Sequence, residues 1–269
     1  MKKLPLRHVA FVLAATNHGS MLVNRHDYRL VGESGYGVGY QLLNNGAFDH
    51  QEIEVALQLL ETRQTLYGPG VVAVDCGANV GAHTLEWARF MNDWGEVVAI
   101  EAQERIFYAL AGNLAMNNCF NARAIWAAVG AHGGTIGVPI PNYSMPSSFG
   151  SLELRPSDHT EFIGQPVSYA PETLQRTQMI ALDDWQLARL DLLKIDIEGM
   201  ELEALAGAKQ TIARCLPYLM IEKMKTDEAE MLSFLQPLGY LIFPLGKNIL
   251  AIHEGDPAAK QLQDDTLES

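Results

Sequence analysis

The sequence has few cysteines, few basic residues and no long apolar run. Each of these features argues against one class of protein. Cys76, Cys119 and Cys215 are odd in number and show no metal-ligand spacing, which indicates reduced thiols in a cytoplasmic protein. Lys and Arg total 19 against 32 Asp and Glu, and the net charge of −13 disfavours nucleic acid as a general partner. No stretch approaches the roughly 20 apolar residues of a transmembrane helix, so we expect no membrane partner.

The chain of 269 residues divides into three parts by pattern. We expect a β-hairpin and a glycine-rich loop over residues 1–49, one large domain over 50–253 and a flexible polar tail over 254–269. The start, MKKLPLRHVAFVLAA, imitates a signal peptide, but its apolar run is short, and the following TNHGS and MLV predict a strand, a turn and a second strand. Residues 131–178 are rich in Gly, Pro and Ser and predict a long irregular insertion that binds substrate.

Short apolar strands alternate with helices through the large domain, which predicts a parallel sheet with helices on both faces. The predicted strands are 71–75, 96–101, 122–130, 192–196 and 218–222, and LIFP and NILAI predict a closing antiparallel pair. Helices are predicted over 50–66, over 105–117 and, as one helix, over GMELEALAGAKQ. In such a sheet, ligands bind at the carboxyl ends of the strands. Four strands place an acid there, namely Asp75, Glu101, Asp196 and Glu222.

The segment VDCGANVGAHT joins the first of these strands to a helix that begins near Gly81. Gly77 and Gly81 let the backbone turn tightly and approach a ligand. The helix N-terminus offers free N–H groups to a carboxylate, and Asp75 is placed to accept a hydrogen bond from an ammonium group. Taken alone, the segment is also compatible with a tight turn that binds nothing, although the ligand site is the better explanation.

The dinucleotide-binding fingerprint GxGxxG is the main alternative for this loop, and one missing glycine argues against it. Residues 77–81 read GANVG, so the middle glycine that admits a pyrophosphate is absent. Glu101 lies about twenty residues beyond Gly81, where a carboxylate binds a ribose diol with both oxygens. The loop and Glu101 together predict an adenosine ligand without a diphosphate.

A second segment, LLKIDIEGMELEALAG, brings two carboxylates to the end of the fourth strand. Asp196 and Glu198 flank Ile197, and Gly199 permits a sharp entry into the next helix. Glu198 also suits a helix N-terminus, where an acid favours the macrodipole. Asp196 directly follows an apolar strand and not a helix start, so the helix macrodipole does not explain its presence. We therefore regard Asp196 and Glu198 as the candidate catalytic residues.

Together, VDCGANVGAHT, VVAIEAQ, SSFGSL, ALDDW and LLKIDIEGMELEALAGA resemble the FkbM family of S-adenosylmethionine (SAM)-dependent methyltransferases, over roughly residues 45–245. The resemblance implies a Rossmann-like class I methyltransferase fold, whose mostly parallel seven-stranded sheet has an antiparallel last strand and flanking helices. It implies SAM as the cofactor and methyl transfer to a hydroxyl of a sugar or secondary metabolite. Members often carry proline after the glutamate where this chain has Ala102, which puts only the adenine-loop geometry in doubt.

The resemblance also implies roles for individual residues. The residues expected to bind SAM are Asp75, Gly77, Ala78, Asn79, Gly81, Glu101, Ala102 and Asp196. Asp196 and Glu198 are expected beside the transferred methyl group. The residues predicted to contact the acceptor are Tyr36, His50, Ser148, Phe149 and Glu222.

Three alternatives stay open at this point. Asp196, Glu198 and Glu222 could supply oxygen ligands to a divalent cation, but no Asp-Asn pair follows the fifth strand, and we expect no metal. The chain could bind SAM as an interaction protein without transfer activity, or methylate nitrogen instead of oxygen. The sequence does not fix the oligomeric state, and a homodimer is compatible with it.

Overall fold

The computed structural model of the protein describes residues 9–32 and 34–260. Its strands are β1 (Phe11–Thr16), β2 (Gly19–Asn24), β3 (Arg29–Val31), β4 (Ser34–Tyr36), β5 (Val71–Cys76), β6 (Gly95–Glu101), β7 (Ala122–Trp126), β8 (Ala128–Val129), β9 (Gly134–Val138), β10 (Gln175–Ile180), β11 (Leu192–Ile195), β12 (Tyr218–Glu222), β13 (Tyr240–Leu245) and β14 (Asn248–His253). Its helices are α1 (Val38–Asn45), α2 (His50–Tyr67), α3 (Ala82–Phe90), α4 (Glu104–Met116), α5 (Glu201–Ala206), α6 (Lys209–Cys215) and α7 (Glu228–Leu235).

The central sheet has seven strands in the order β13-β14-β12-β11-β5-β6-β7. The pairs from β7 across to β12 are parallel, and β14 runs antiparallel between β12 and β13. This confirms the predicted mostly parallel sheet with an antiparallel last strand. The order reverses between β5 and β11, and at such a switch point a cleft opens at the carboxyl ends of the strands.

Each face of the sheet carries its own apolar core, which explains the continuous apolar runs of the central strands. Ala73 of β5 and Leu192 of β11 pack on one face with helices α2 to α4. Val74 and Leu193, the next residue of each strand, pack on the other face with α5 to α7. Side chains of a strand alternate between the faces, so an apolar residue is needed at every position. Within the described part of the chain, no helix combines the length and apolar composition needed to cross a bilayer.

The predicted N-terminal hairpin is present, with β1 and β2 paired antiparallel from Phe11–Asn24 to Thr16–Gly19. Asn113 of α4 fastens it to the domain, because its side-chain oxygen accepts from the Leu22 N–H at 2.6 Å. The glycine-rich segment predicted as a loop contains a second short hairpin, β3–β4. Glu33 in that segment and residues 1–8 of the signal-like start lie outside the described residues.

Two predicted boundaries around the insertion were wrong. The predicted strand 122–130 is two strands: β7 completes the central sheet, while β8 pairs with β10 in a separate three-stranded sheet. The Ala127 N–H donates to the Glu101 carbonyl at the point where the chain leaves the central sheet. The insertion 131–178 is consequently not irregular throughout, because it contains β9 and the beginning of β10, which pair antiparallel.

The helix predicted over GMELEALAGAKQ is divided into α5 and α6 at Gly207. A side chain at Gly207 would lie 2.1 Å from the Gly130 carbonyl oxygen, so this close approach of two backbones requires glycine.

Of the predicted flexible tail, residues 254–260 are packed against the domain. Ala259 is fully buried, and Asp256 accepts a hydrogen bond from the Tyr218 hydroxyl at 2.9 Å. Composition alone indicated solvent for this segment, whereas its two alanines and Asp256 fit against β12. Residues 261–269 lie outside the described residues.

Candidate functional site

A cleft of about 1380 Å³, partly open to solvent, lies at the carboxyl ends of β5, β6, β11 and β12. It is the place that the reversal of strand order predicts. Most residues predicted for the site line it, namely Tyr36, Asp75, Gly77, Ala78, Asn79, Glu101, Ala102, Ser148, Asp196, Glu198 and Glu222. Residues that are separated by up to 186 positions in the sequence, from Tyr36 to Glu222, therefore meet in one cavity.

The loop after β5 is pressed between its neighbouring strands. The N–H groups of Gly77 and Ala78 donate to the Ile100 carbonyl on β6 at 2.9 and 3.0 Å. Gly77 has a φ of +82°, and a side chain there would lie 1.8 Å from the Asp196 carbonyl oxygen. Asn79 also has a positive φ, of 50°. Glycine is therefore required at Gly77, and the loop presents backbone to the cleft.

Glu101 is a buried carboxylate that is held by backbone donors. Its two oxygens accept from the N–H groups of Asn79 and Gln103, at 3.0 and 2.7 Å. Burial raises the pKa of Glu101 to about 7, against the opposing effect of these N–H groups. A carboxylate has about four lone-pair sites, so Glu101 keeps acceptor capacity for a ligand hydroxyl beside these backbone donors.

Asp75 has one satisfied and one unsatisfied oxygen. Its Oδ2 accepts from the Thr84 hydroxyl at 2.7 Å. Its Oδ1 is buried without a hydrogen-bond partner, and the Lys194 ammonium lies 3.9 Å away. Burial raises the pKa of Asp75, and the charge of Lys194 opposes that shift. A buried unpaired oxygen that lines a cleft is a fitting acceptor for a ligand ammonium group.

Three carboxylates meet on the other side of the cleft. Oxygens of Asp196, Glu198 and Glu222 lie within 4.8 Å of one another, and among the described residues this is the group that could hold a metal ion. Lys225 already neutralises Glu198, with Nζ 2.5 Å from Oε2, so the cluster does not require a metal. Burial, followed by the Asp196 charge, raises the pKa of Glu222 to about 7. Burial and then the Glu222 charge raise the pKa of Glu198.

Polar contacts between distant segments form the wall of the cleft beside this cluster. Lys225 donates to the Ser151 carbonyl at 3.0 Å and lies 3.3 Å from Glu161. The other oxygen of Glu161 accepts from the Tyr36 hydroxyl at 3.1 Å and from Arg29 at 3.2 Å. Lys225 and Glu161 thus connect the loop after β12, the insertion and the N-terminal segment.

Three residues predicted to contact a ligand do not line the cleft. The side chain of His50 is 69% exposed, pairs with Glu54 at 3.0 Å and lies outside the cleft. Phe149 is fully buried in the core, with its ring centroid 4.9 Å from that of Tyr143. Gly81 turns the chain into α3 at a φ of +92° and does not line the cleft. Neither a loop position nor a glycine motif specifies which groups face the cavity.

Several charged residues of the cleft were not predicted from the sequence, namely Asp49, Glu52, Lys194 and Lys247. A signal existed for Lys194, because it is the one charged residue within the apolar run LLKI. His83, in the first turn of α3, also lines the cleft. Burial, and then the charge of Lys194, lower the pKa of His83 well below its ordinary value, so the ring is neutral.

The strand order and the cleft at its reversal define a class I methyltransferase fold. The chain belongs to the FkbM methyltransferase family, since residues 75–242 match the Methyltransferase FkbM domain. That match contains the five segments on which the resemblance was based, except for Val74 at the start of the first. The comparison with curated proteins gave no match.

Solved structures with similar folds include several methyltransferases. Methyltransferase FkbM from Methylobacillus flagellatus KT is 18% identical with a TM-score of 0.47, and the match covers 68% of this chain and 44% of that protein. Precorrin-6y C5,15-methyltransferase from Geobacter metallireducens GS-15 is 15% identical with a TM-score of 0.42, with coverages of 76% and 88%. An rRNA methylase from Streptococcus thermophilus is 12% identical with a TM-score of 0.43, with coverages of 77% and 100%. With identities and TM-scores this low, these structural similarities add no support to the family assignment.

Proposed function

We propose that the chain is a SAM-dependent methyltransferase that methylates a hydroxyl group of a small-molecule acceptor. One observation carries the cofactor assignment: the buried oxygen of Asp75 lacks a partner in a cleft where Glu101 retains acceptor capacity. An ammonium group for Asp75 and a ribose diol for Glu101 occur together in SAM. The family match supports the same donor.

The residues that would hold SAM form one continuous side of the cleft. Asp75 would bind the ammonium group, Gly77 and Asn79 would present backbone to the methionine part, and Glu101 would bind the ribose. The adenine would lie beside Ala102, which lines the cleft after β6. When bound, SAM supplies an electrophilic methyl group on a sulfonium. The acids of the cleft suit this positive charge.

The acceptor would lie against the carboxylate cluster. Glu222 has a pKa of about 7 and a buried Oε2 without a hydrogen-bond partner, so it can take the hydroxyl proton at neutral pH. Glu198 is less available to an acceptor hydroxyl, because Lys225 lies 2.5 Å from one of its oxygens. Alignment of the hydroxyl by the cleft walls supplies a further part of the acceleration. Tyr36 and Ser148 are the predicted acceptor contacts that line this region.

Calorimetry with SAM and S-adenosylhomocysteine tests the cofactor assignment. We expect both to bind, and Glu101→Gln to weaken binding by about 1.5–3 kcal/mol, because the ribose loses a charged acceptor. Glu96→Gln is the matched control: Glu96 lies exposed at the opposite end of the same strand and should leave binding unchanged. Absence of binding by both ligands would refute the proposed function, and equal affinities of wild type and Glu101→Gln would remove Glu101 from the site.

The hydroxyl acceptor is tested by incubating the protein with methyl-labelled SAM and a panel of sugars, polyols and phenols, each paired with its amine analogue. We expect label on oxygen, and a loss of turnover in Glu222→Gln at neutral pH. Label only on nitrogen would show N-methylation instead. Normal turnover by Glu222→Gln would mean that Glu222 is not the base, and that this side of the cleft accelerates the reaction only by aligning the hydroxyl.

A further inference from the structure

Lys194 occupies a position where a charge is costly. It lies in β11 between neighbours that are fully buried, Leu193 and Ile195, and is itself only 3% exposed. Its partner in the parallel register with β5 is Asp75. Register partners in adjacent strands project from the same face of a sheet, so the two side chains lie next to each other. A lysine is retained in such an interior only when its charge is compensated.

The Lys194 ammonium bridges the two sides of the cleft. Its Nζ donates to the Asp196 Oδ2 at 2.8 Å and lies 3.9 Å from the unpaired Asp75 Oδ1. Asp75 belongs to the side proposed to hold the cofactor, and Asp196 belongs to the carboxylate cluster. One buried cation is therefore shared between the two halves of the site.

Other charged groups face this pair from the surrounding elements. Asp49 and Glu52 come from the start of α2, Lys247 from the turn before β14, and His83 from α3. Lys247 is exposed and forms no ion pair within 4.0 Å among the described residues, and the His83 ring is neutral. Lys194 is thus the cation that directly compensates Asp75.

We propose that Lys194 is a positioning residue that keeps Asp75 ionised and its free oxygen available to the ammonium group of the cofactor. The inference deepens the proposed function and rests on it for the identity of the ligand. Lys194 itself would not touch the reacting atoms. Neutralising it would let the buried carboxyl of Asp75 take up a proton, and a protonated Asp75 is a poor acceptor for an ammonium group.

The electrostatics agree with this arrangement. The neighbouring Asp196 and Asp75 charges raise the pKa of Lys194, against burial, so the ammonium stays charged over the whole accessible pH range. For Asp75, burial is the largest effect and raises the pKa, and Lys194 is the largest opposing effect. Removal of Lys194 therefore leaves the burial effect uncompensated.

The first test is the pH dependence of S-adenosylhomocysteine binding to Lys194→Met, measured by calorimetry between pH 6 and 8.5. We expect the ratio of the variant and wild-type dissociation constants to exceed tenfold at pH 6 and to fall steadily as Asp75 ionises. Dividing by the wild-type value removes the larger part of the Glu101 titration, which burial sets in both proteins; the charge of Asp75 is a smaller influence on the Glu101 pKa. A ratio that is constant across this range would mean that Lys194 only packs, and would overturn the proposal.

Two further variants complete this test. Lys247→Met removes a cleft lysine of the same charge that does not contact Asp75, and its ratio should not vary with pH even where the affinity itself changes. Lys194→Arg keeps the charge, and its ratio should not vary with pH even where affinity falls. A pH-dependent ratio in Lys194→Arg like that in Lys194→Met would contradict the counter-ion role, and this variant can be measured if Lys194→Met does not fold.

The second test uses no ligand, so it separates this inference from the proposed function. Burial already raises the folded-state pKa of Asp75 in wild type, and in Lys194→Met the proposal places that pKa further above the unfolded value of about 3.9, so the folded variant holds a proton over a wider pH range than the folded wild type does. Stability relative to wild type must therefore fall as pH rises from 5 to 8, which thermal unfolding measures as a widening gap in Tm. A gap independent of pH would overturn the role of Lys194. Failure of wild type to bind S-adenosylhomocysteine would refute only the proposed function.

Discussion

The two sides of the cleft are built on different principles. On the side with Asp75 and Glu101, two adjacent strands and the loop between β5 and α3 supply the contacts, and most hydrogen bonds involve backbone groups. On the side with Glu222, the contacts are between side chains of segments far apart in sequence, such as Tyr36, Glu161 and Lys225. The first side is local and fixed by the sheet. The second is assembled by long-range ion pairs.

This difference decides how each side responds to substitution. Backbone contacts depend on a few positions where no side chain fits, so a change there is severe. Ion pairs at a partly exposed wall each contribute modestly, because water competes for the charges. Three substitutions, taken from the largest expected effect to the smallest, test whether the two sides differ in this way.

Gly77→Ala should have the largest effect. The new methyl group would lie 1.8 Å from the Asp196 carbonyl oxygen, in a backbone conformation with a φ of +82°. We expect a loss of about 4 kcal/mol or more in the free energy of unfolding, from overlap and strain together, and a loss of S-adenosylhomocysteine binding. Urea unfolding and calorimetry measure both. Gly134→Ala, where nothing lies within 4 Å, is the control. A stable Gly77→Ala protein would break the contrast between the two sides.

Phe149→Ala should destabilise by about 3 kcal/mol, because it empties a fully buried site in the core beneath the insertion. The prediction sharpens the comparison of the two sides. It measures how much apolar packing stabilises the side of the cleft with Glu222, apart from the ion pairs of Glu161 and Lys225. Phe162→Ala is the matched control: Phe162 is 56% exposed and should change stability by less than about 0.5 kcal/mol. Similar unfolding free energies for both variants would mean that Phe149 is not a core residue, and would favour the original prediction that it contacts the acceptor.

Lys225→Met should cost about 2 kcal/mol, since it leaves the half-buried Glu198 without its cation. We expect faster hydrogen exchange in residues 151–161 and unchanged affinity for S-adenosylhomocysteine. Lys260→Met, at an exposed lysine outside the cleft, should alter neither. Weaker cofactor binding in Lys225→Met would show that the two sides are not separate.

The sequence predicted the first side well for a physical reason. Asp75, Gly77 and Glu101 are placed by strand ends, and hydrophobic runs mark strand ends directly. The parallel sheet with helices on both faces followed from the same alternation, whereas its seven strands were implied by the family resemblance. The second side was predicted less well, because the direction of a side chain such as Phe149 or His50 depends on packing that no local pattern encodes. Lys225 and Glu161 had no signal at all, since an exposed-looking lysine in a loop is common.

The small sheet of β8, β9 and β10 was not predicted from the sequence. Its strands are short, and β8 pairs with β10, some fifty residues later in the chain. Pairing over such a distance leaves no turn signal between the partners. The composition of residues 131–178 therefore indicated a loop throughout, whereas β9 and the beginning of β10 lie near its two ends.

The close approach of Gly77 to the Asp196 carbonyl limits which segments of the protein can be changed by engineering. The two motifs meet backbone to backbone, so neither can accept an insertion or a larger residue without disturbing the other. The walls that contain Tyr36, Glu161 and Lys225 meet mainly through side chains. We therefore expect that exchange of residues 131–178 alters the side of the cleft with Glu222 while the side with Asp75 and Glu101 stays intact.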